Sequence, residues 1–220
     1  DYLKEKEKKD YQENNFTDFD TLSNQAMGGT ESSVLRTAEI LSNNGFQVAI
    51  CQHARDSQMI QNHITFHSPK SCLSTSFDHV VVLRKVPQLI EYQKHFKGAS
   101  FYLWLHTYKN QEFALKRLIK TPKPFSIIGN SLTHQKHLQN CLQSQWLSKL
   151  LSLFQVKQIV VRHVFNPIPR FWTALKSNNK NRNQIIFLSA PNKGLAQVLN
   201  YFKTLKQQLP DMKLLVANPG

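Results

Sequence analysis

The chain has 220 residues, 40% of them hydrophobic and 10% aromatic, so it can bury a core and is neither collagen-like nor fully disordered. Its formal net charge is +14, and the excess of cations lies after residue 56, where 22 Lys and Arg residues face four Asp and Glu. Such a cationic body favours anionic partners: phosphates, nucleic acid or an acidic membrane face.

The first half of the chain begins with a segment that has little pattern and continues with a helix and a strand. Residues 1–27 show no sustained periodicity, so we expect an irregular or partly ordered N-terminal arm. After the Gly-Gly pair at 28–29, Thr30 is the predicted N-cap of a helix that ends at the Asn-Asn-Gly of 43–45. An apolar run at 46–51 predicts a buried strand.

Strands and helices then alternate along the chain. Further strands are predicted at 79–83, 100–105, 125–128 and 158–161, and helices at 87–95 and 132–142. Short β-branched strands without polar alternation, separated by helix-length segments, indicate βαβ units whose parallel strands are covered on both faces. The predicted fold class is α/β, with a doubly wound, Rossmann-like parallel sheet.

The composition changes near residue 165, where two prolines precede a polar, amide-rich stretch that resembles a linker. A single β-α-β follows, with strands at 184–188 and 212–216 around a helix at 195–209. About 40 residues cannot enclose a core alone, so this second unit is expected to be incomplete. The predicted organisation is an arm at 1–27, a domain at 28–165, a linker at 166–183 and an incomplete domain at 184–220.

Three turns in this pattern could carry chemistry. Gly28 and Gly29 open a helix, and glycines at a helix start let an anion approach free N–H donors; a simple turn before a helix is the alternative. His106 follows a predicted strand, and carboxyl ends of parallel strands line ligand crevices, although a surface histidine is also consistent with the sequence. Lys193 and Gly194 occupy the equivalent turn of the last unit, where the lysine either binds a diphosphate or is simply solvated.

Other motifs are weaker. The histidine pairs at 63 and 67 and at 134 and 137 have spacings that could place two metal ligands together, but no Cys or carboxylate partner is near. A basic run near 116–123 could bind nucleic acid or lipid, but a solvated helix face is more common. The sequence contains no Gly-x-Ser-x-Gly motif for hydrolytic acyl transfer.

Five segments occur in the order found in group 1 glycosyltransferases of the GT-B fold. They are Gly28-Gly29-Thr30-Glu31 with the following helix, Trp104-Leu105-His106, Ile128-Gly129-Asn130-Ser131, His163-Val164-Phe165-Asn166-Pro167-Ile168, and Phe187-Leu188-Ser189-Ala190-Pro191-Asn192-Lys193-Gly194-Leu195. The chain from about 28 to 217 therefore resembles the N-terminal domain of that family and the start of its nucleotide-sugar domain.

The resemblance implies transfer of a sugar from a nucleotide-sugar donor to a glycan, lipid or protein acceptor. It implies that His106 is the catalytic residue that contacts the donor sugar. The residues implied to bind the donor diphosphate or substrate are Gly28, Gly29, Thr30, Asn166, Lys193 and Gly194. Neither a metal nor another cofactor is implied, since a lysine and helix N-termini can stabilise the departing diphosphate.

The sequence also departs from the family pattern. Residues 166–168 read Asn-Pro-Ile where the family often has Asn-Gly-Val, and Lys193 stands where close members have arginine. The chain ends before the family's Glu-x7-Glu segment, so we expect a truncated chain that binds nucleotide-sugar poorly alone. The alternative function is a catalytically inactive basic module that binds an acidic membrane surface or nucleic acid; for a glycosyltransferase, no specific nucleic-acid partner is expected.

The expected location is cytoplasmic, with peripheral contact at the inner membrane face as an option. No apolar run reaches the roughly 18 residues that cross a bilayer, and the charged opening is not a secretory signal. The three cysteines lack paired spacing, which fits a reducing compartment.

Overall fold

The structure is a computed structural model that describes residues 18–24, 27–52, 55–107, 121, 123–144, 149, 153, 159–168, 181–188 and 194–217. In chain order, the elements are α1 (Phe19–Asn24), α2 (Gly29–Asn43), β1 (Val48–Cys51), β2 (Met59–Gln61), β3 (Ile64–His67), α3 (Pro69–Leu73), β4 (His79–Leu83), α4 (Val86–His95), β5 (Ser100–Trp104), β6 (Ser126–Gly129), α5 (Leu132–Gln143), β7 (Val160–His163), β8 (Gln184–Leu188), α6 (Leu195–Gln208) and β9 (Lys213–Ala217).

By the density of their packing, the described residues divide into two units. One is drawn from 1–66 and 168–220, and the other from 67–167. Compactness alone does not test the predicted domain at 28–165 or the linker at 166–183, and those boundaries stay predictions.

The unit at 67–167 is built on a four-stranded parallel sheet in the order β4-β5-β6-β7. Helix α4 connects the first two strands and α5 connects the last two. A mixed α/β fold with a parallel sheet was predicted, and at that level the prediction is confirmed. The strand order runs in one direction without a reversal, so the doubly wound, GT-B arrangement stays a prediction.

The core of this unit consists of apolar side chains from the sheet and from the helices that contact it. Leu89, Leu103, Ile127 and Leu138 are fully buried and come from α4, β5, β6 and α5 in turn. Helix α4 contacts β4 and β5, and α5 contacts β6 and β7, so each helix buries its apolar stripe against two strands. The core therefore fixes the register of β5, the strand that leads to His106.

Residues 18–66 form a second, separate arrangement around a three-stranded sheet in the order β1-β3-β2. Phe19 of α1 is buried in its core and contacts Phe66 edge to face, with ring centroids 6.4 Å apart. The Phe19 N–H also donates to the Gln61 side chain at 2.9 Å. The predicted arm therefore contains an ordered helix. The buried Phe19 and the capping Asp18 stabilise this helix, although its sequence shows no apolar periodicity.

The hairpin β2–β3 and the short helix α3 have no counterpart in the sequence prediction. The two strands pair antiparallel and are joined by Asn62 and His63, both at positive φ (52° and 61°). A two-residue hairpin turn of this kind usually contains glycine, so an Asn-His pair gives little signal. The result is an antiparallel pair in a chain predicted to have parallel strands.

The last described elements are β8, α6 and β9, with the two strands parallel. Their predicted positions are confirmed to within a residue or two. No residue of α6 is buried, and Leu188 and Tyr201 are about three-quarters exposed (73% and 74%). These exposed side chains leave an apolar surface on this β-α-β unit, and its predicted incompleteness stays a prediction.

Among the described residues, no helix is both long and apolar enough to cross a bilayer.

Candidate functional site

The carboxyl edge of the four-stranded sheet collects polar side chains from four turns. The sheet pairs Leu83 with Trp104, Trp104 with Ile128 and Ile128 with Arg162, so the strands end level with one another. The residues that follow them are Arg84 and Lys85 after β4, His106 and Thr107 after β5, Asn130 and Ser131 after β6, and Asn166 after β7. Ligands of open α/β sheets bind at this edge, which makes it the candidate site.

His106 lies at this edge, as the sequence predicted from its place after a strand. Its ring is tilted against the Trp104 indole, with centroids 4.7 Å apart, and Leu105 between them is buried. Leu105 is fixed by a hydrogen bond from its N–H to the Ile128 carbonyl at 2.8 Å. The imidazole is therefore held on a rigid strand end and is half-buried.

Trp104 adds an unsatisfied donor beside His106. Its side chain is 5% exposed, and its Nε1–H has no acceptor among the described residues. A buried donor without an acceptor costs free energy, and such groups in folded proteins call for a specific explanation. The nitrogen itself is closed to solvent, so only a buried acceptor could satisfy it.

His134 connects two of the turns at this edge. It is fully buried in the first turn of α5. The Asn130 backbone N–H donates to the His134 Nδ1 at 3.3 Å, and the His134 backbone N–H donates to the Ser131 hydroxyl at 3.1 Å. A backbone hydrogen bond with Thr107 joins it to the turn after His106. Burial lowers the pKa of His134, and the nearby His137 lowers it further. His134 is thus a neutral structural link between two of the turns.

Gln135 makes a similar link to β7. Its amide nitrogen donates to the Val161 carbonyl at 2.9 Å, and its carbonyl oxygen lies 2.5 Å from His163 Nδ1. The β6–α5 turn is therefore tied to β7 on one side and, through His134, to the turn after β5 on the other.

The unit that carries this edge is cationic as a whole. Residues 67–167 contain 14 Lys and Arg against three Asp and Glu. The structure describes two of these acidic residues. Asp78 precedes the five-residue strand β4 and so lies about 17 Å from the carboxyl end of that strand. Glu91 lies about 7 Å along the axis of α4 from the start of that helix. No described carboxylate of this unit follows a strand at the carboxyl edge, so the local field favours an anion.

Gly129 lets α5 approach the end of β6 closely. A Cβ at this position would lie 3.2 Å from the Gln135 nitrogen and 3.3 Å from His134 Cγ. We expect Gly129→Ala to lower the free energy of unfolding by about 1–3 kcal/mol, because backbone and a buried ring would have to move. Chemical denaturation measures this. Gly98→Ala, with no atom within 4 Å of the added Cβ, is the control, and equal stability of the two variants would contradict the close approach.

The predicted glycine turn lies in the other unit and differs in detail. Helix α2 begins at Gly29 with Gly28 as N-cap, so the prediction that Thr30 is the N-cap was wrong. The Glu31 carboxylate folds back against Gly28, where a Cβ would collide with it. A Cβ would displace only this flexible side-chain end, and the carboxylate partly offsets the positive helix end. A role for Gly28, Gly29 and Thr30 in anion binding stays a prediction.

The remaining predicted site residues have different outcomes. Asn166 is exposed, three residues beyond β7 in the same unit as His106. Gly194 is the N-cap of α6 at φ 107°, a left-handed conformation that favours glycine. Lys193 lies outside the described residues.

The described residues test the weaker motifs only in part, because Lys116, Arg117 and Lys120 of the basic run lie outside them. The described residues contain no group of three or more His, Cys, Asp or Glu that could hold a metal ion. The expectation that no Cys lies near these pairs was wrong for one of them, since His137 Nε2 lies 3.6 Å from Cys141 Sγ, four residues on in the same helix; His67 contacts the Ser71 hydroxyl at 3.3 Å. Of the basic run, Lys123 donates to the carbonyls of Phe96 and Lys97, just past the C-terminus of α4, at 3.1 and 2.7 Å. That lysine therefore caps a helix.

Sequence reasoning missed Arg84, Lys85 and the supporting role of His134. The first two follow β4 as His106 follows β5, so the rule that identified His106 applies to them equally. A link between turns such as His134 depends on tertiary contacts and leaves no spacing pattern.

A scan against models of known protein families, a search of curated proteins and a search of solved structures each find no match. The family resemblance therefore rests on the sequence motifs alone.

Proposed function

We propose that the chain is part of a glycosyltransferase that moves a sugar from a nucleotide-sugar donor to a glycan, lipid or protein acceptor. The observation that supports this best is the position of His106 at the carboxyl end of β5, on an edge that carries Arg84 and Lys85 and no described carboxylate.

The chemistry is consistent with that position. Loss of a nucleoside diphosphate develops negative charge on the leaving group, and fixed cations and N–H donors stabilise it. A half-buried imidazole on a rigid strand end can hydrogen-bond a sugar hydroxyl. In this proposal Arg84 and Lys85 supply positive charge, and His106 orients the sugar. The reaction needs no metal for this step.

Calorimetric titration with nucleoside diphosphates tests the proposal. We expect a nucleoside diphosphate to bind the 220-residue chain more tightly than the matching monophosphate, and His106→Ala to weaken binding of the nucleotide-sugar about tenfold, the loss of one hydrogen bond. His79→Ala is the control, since His79 is exposed at the amino end of β4. Parent-like binding by His106→Ala would contradict the assignment of His106.

A second candidate function is a non-enzymatic, basic anion-binding module, and the charge imbalance of residues 67–167 favours it. It would bind anionic phospholipid vesicles or single-stranded DNA with a steep salt dependence and no preference among nucleotides. Selective, salt-tolerant nucleoside diphosphate binding distinguishes the enzyme from the module.

A further inference from the structure

Arg84 has an unusual backbone conformation at the candidate site. Its φ is 62°, and the Lys85 N–H donates to the Leu83 carbonyl at 2.7 Å, closing a three-residue turn around it. The Arg84 N–H itself donates to the Trp104 carbonyl at 2.9 Å. A tight turn with positive φ at its central residue is rare and strained for any residue with a side chain.

The backbone conformation of Arg84 can be compared with that of two other described residues. The other described non-glycine residues with positive φ are Asn62 and His63, and both lie in the β2–β3 hairpin turn. That turn type requires positive φ at both positions, so local geometry explains them. Arg84 instead joins a strand to a helix, where glycine or asparagine would adopt the same conformation at lower cost.

The surroundings of Arg84 indicate what its side chain does. Arg84 is exposed, Lys85 follows it, and the neighbouring strand leads to His106. The buried Trp104 Nε1–H, without an acceptor among the described residues, comes from that same neighbouring strand. Arg84, Lys85 and His106 therefore follow two adjacent strand ends, while the described acidic residues of this unit lie elsewhere.

We infer that Arg84 binds a diphosphate group at the carboxyl edge of the sheet. A guanidinium presents a planar set of donors that matches two phosphate oxygens at once, which a lysine cannot do. The strained turn is maintained because it places this side chain at the end of β4. That the diphosphate belongs to a nucleotide rests on the function proposed above; the anion-binding role of Arg84 does not.

Arg84→Gly tests the inference because it changes stability and binding in opposite directions. We expect the midpoint of thermal unfolding to rise or stay unchanged, since glycine adopts this turn readily, while the affinity for inorganic pyrophosphate falls at least tenfold. His63→Gly is the matched control: it relieves a similar φ and should leave pyrophosphate affinity unchanged. Unchanged affinity in Arg84→Gly, or a fall in stability together with the loss of binding, overturns the inference.

Arg84→Lys is a second variant that keeps the positive charge. It is expected to bind pyrophosphate at least threefold more weakly than the parent chain, and parent-like affinity would overturn the inference.

The same titrations, repeated with UDP and GDP, separate this inference from the proposed function. Pyrophosphate binding that depends on Arg84, in a chain with no preference for UDP or GDP over pyrophosphate, supports the inference and contradicts the nucleotide-sugar function. Selective UDP or GDP binding that persists in Arg84→Gly does the reverse. A parent chain that binds none of the three overturns both.

Discussion

Replacing Leu103 with alanine is expected to lower the free energy of unfolding by about 2–5 kcal/mol, the usual cost of truncating a fully buried leucine. Leu103 has no exposed surface, and it lies in β5 between β4 and β6, at the centre of the unit's core. The loss combines the transfer free energy of the missing methyl groups with the cavity that remains.

Denaturant titration followed by circular dichroism measures this loss. Val81→Ala is the control, because Val81 lies on the adjacent strand and is 52% exposed. We expect the control to lose less than about 1 kcal/mol, the span of strand propensity alone. Equal losses would contradict the packing described for β5 and, with it, the rigid support of His106.

Acidification is expected to destabilise the protein, and His134→Asn is expected to remove part of that effect. The pKa of His134 lies below its ordinary value because the side chain is buried and His137 is near. As pH falls below about 6.5, the unfolded chain binds a proton that the folded chain does not. Stability therefore decreases toward low pH, by at most about 1.4 kcal/mol per pH unit for this one group.

Asparagine offers a neutral polar group near the position of Nδ1, where the Asn130 N–H donates, but it does not titrate. Unfolding free energies measured from pH 7 to pH 5 should fall less steeply for His134→Asn than for the parent chain. A parent-like slope in His134→Asn would mean that His134 is not held neutral by burial.

Local apolar patterns were sufficient to predict the strands of the parallel sheet. His79–Leu83 was predicted with its exact bounds and Ser100–Trp104 to within one residue, because a buried parallel strand is a continuous apolar run. The hairpin at 59–67 was missed, since its strands are three and four residues long and its turn lacks glycine. Short-range chemistry could not reveal an antiparallel pair that only tertiary packing stabilises.

The candidate site was predictable only in part. His106 followed from its place at a strand end, but the backbone conformation of Arg84 has no signature in an arginine-lysine dipeptide. The predicted cap at Thr30 was wrong because the helix begins earlier, at Gly29, with a glycine N-cap that has no side chain to signal it. The roles of Arg84 and His134 depend on backbone strain and on links between turns, so only the three-dimensional structure could reveal them.

We propose above that a diphosphate binds at the carboxyl edge of the four-stranded sheet. Amide hydrogen exchange of the 220-residue chain, with and without saturating pyrophosphate, tests it most directly. We expect slower exchange at the amides of Lys85, His106 and Asn130, which follow three adjacent strands, and no change at the amino ends of those strands. Protection confined to other parts of the chain, or no protection at all, would contradict the claim.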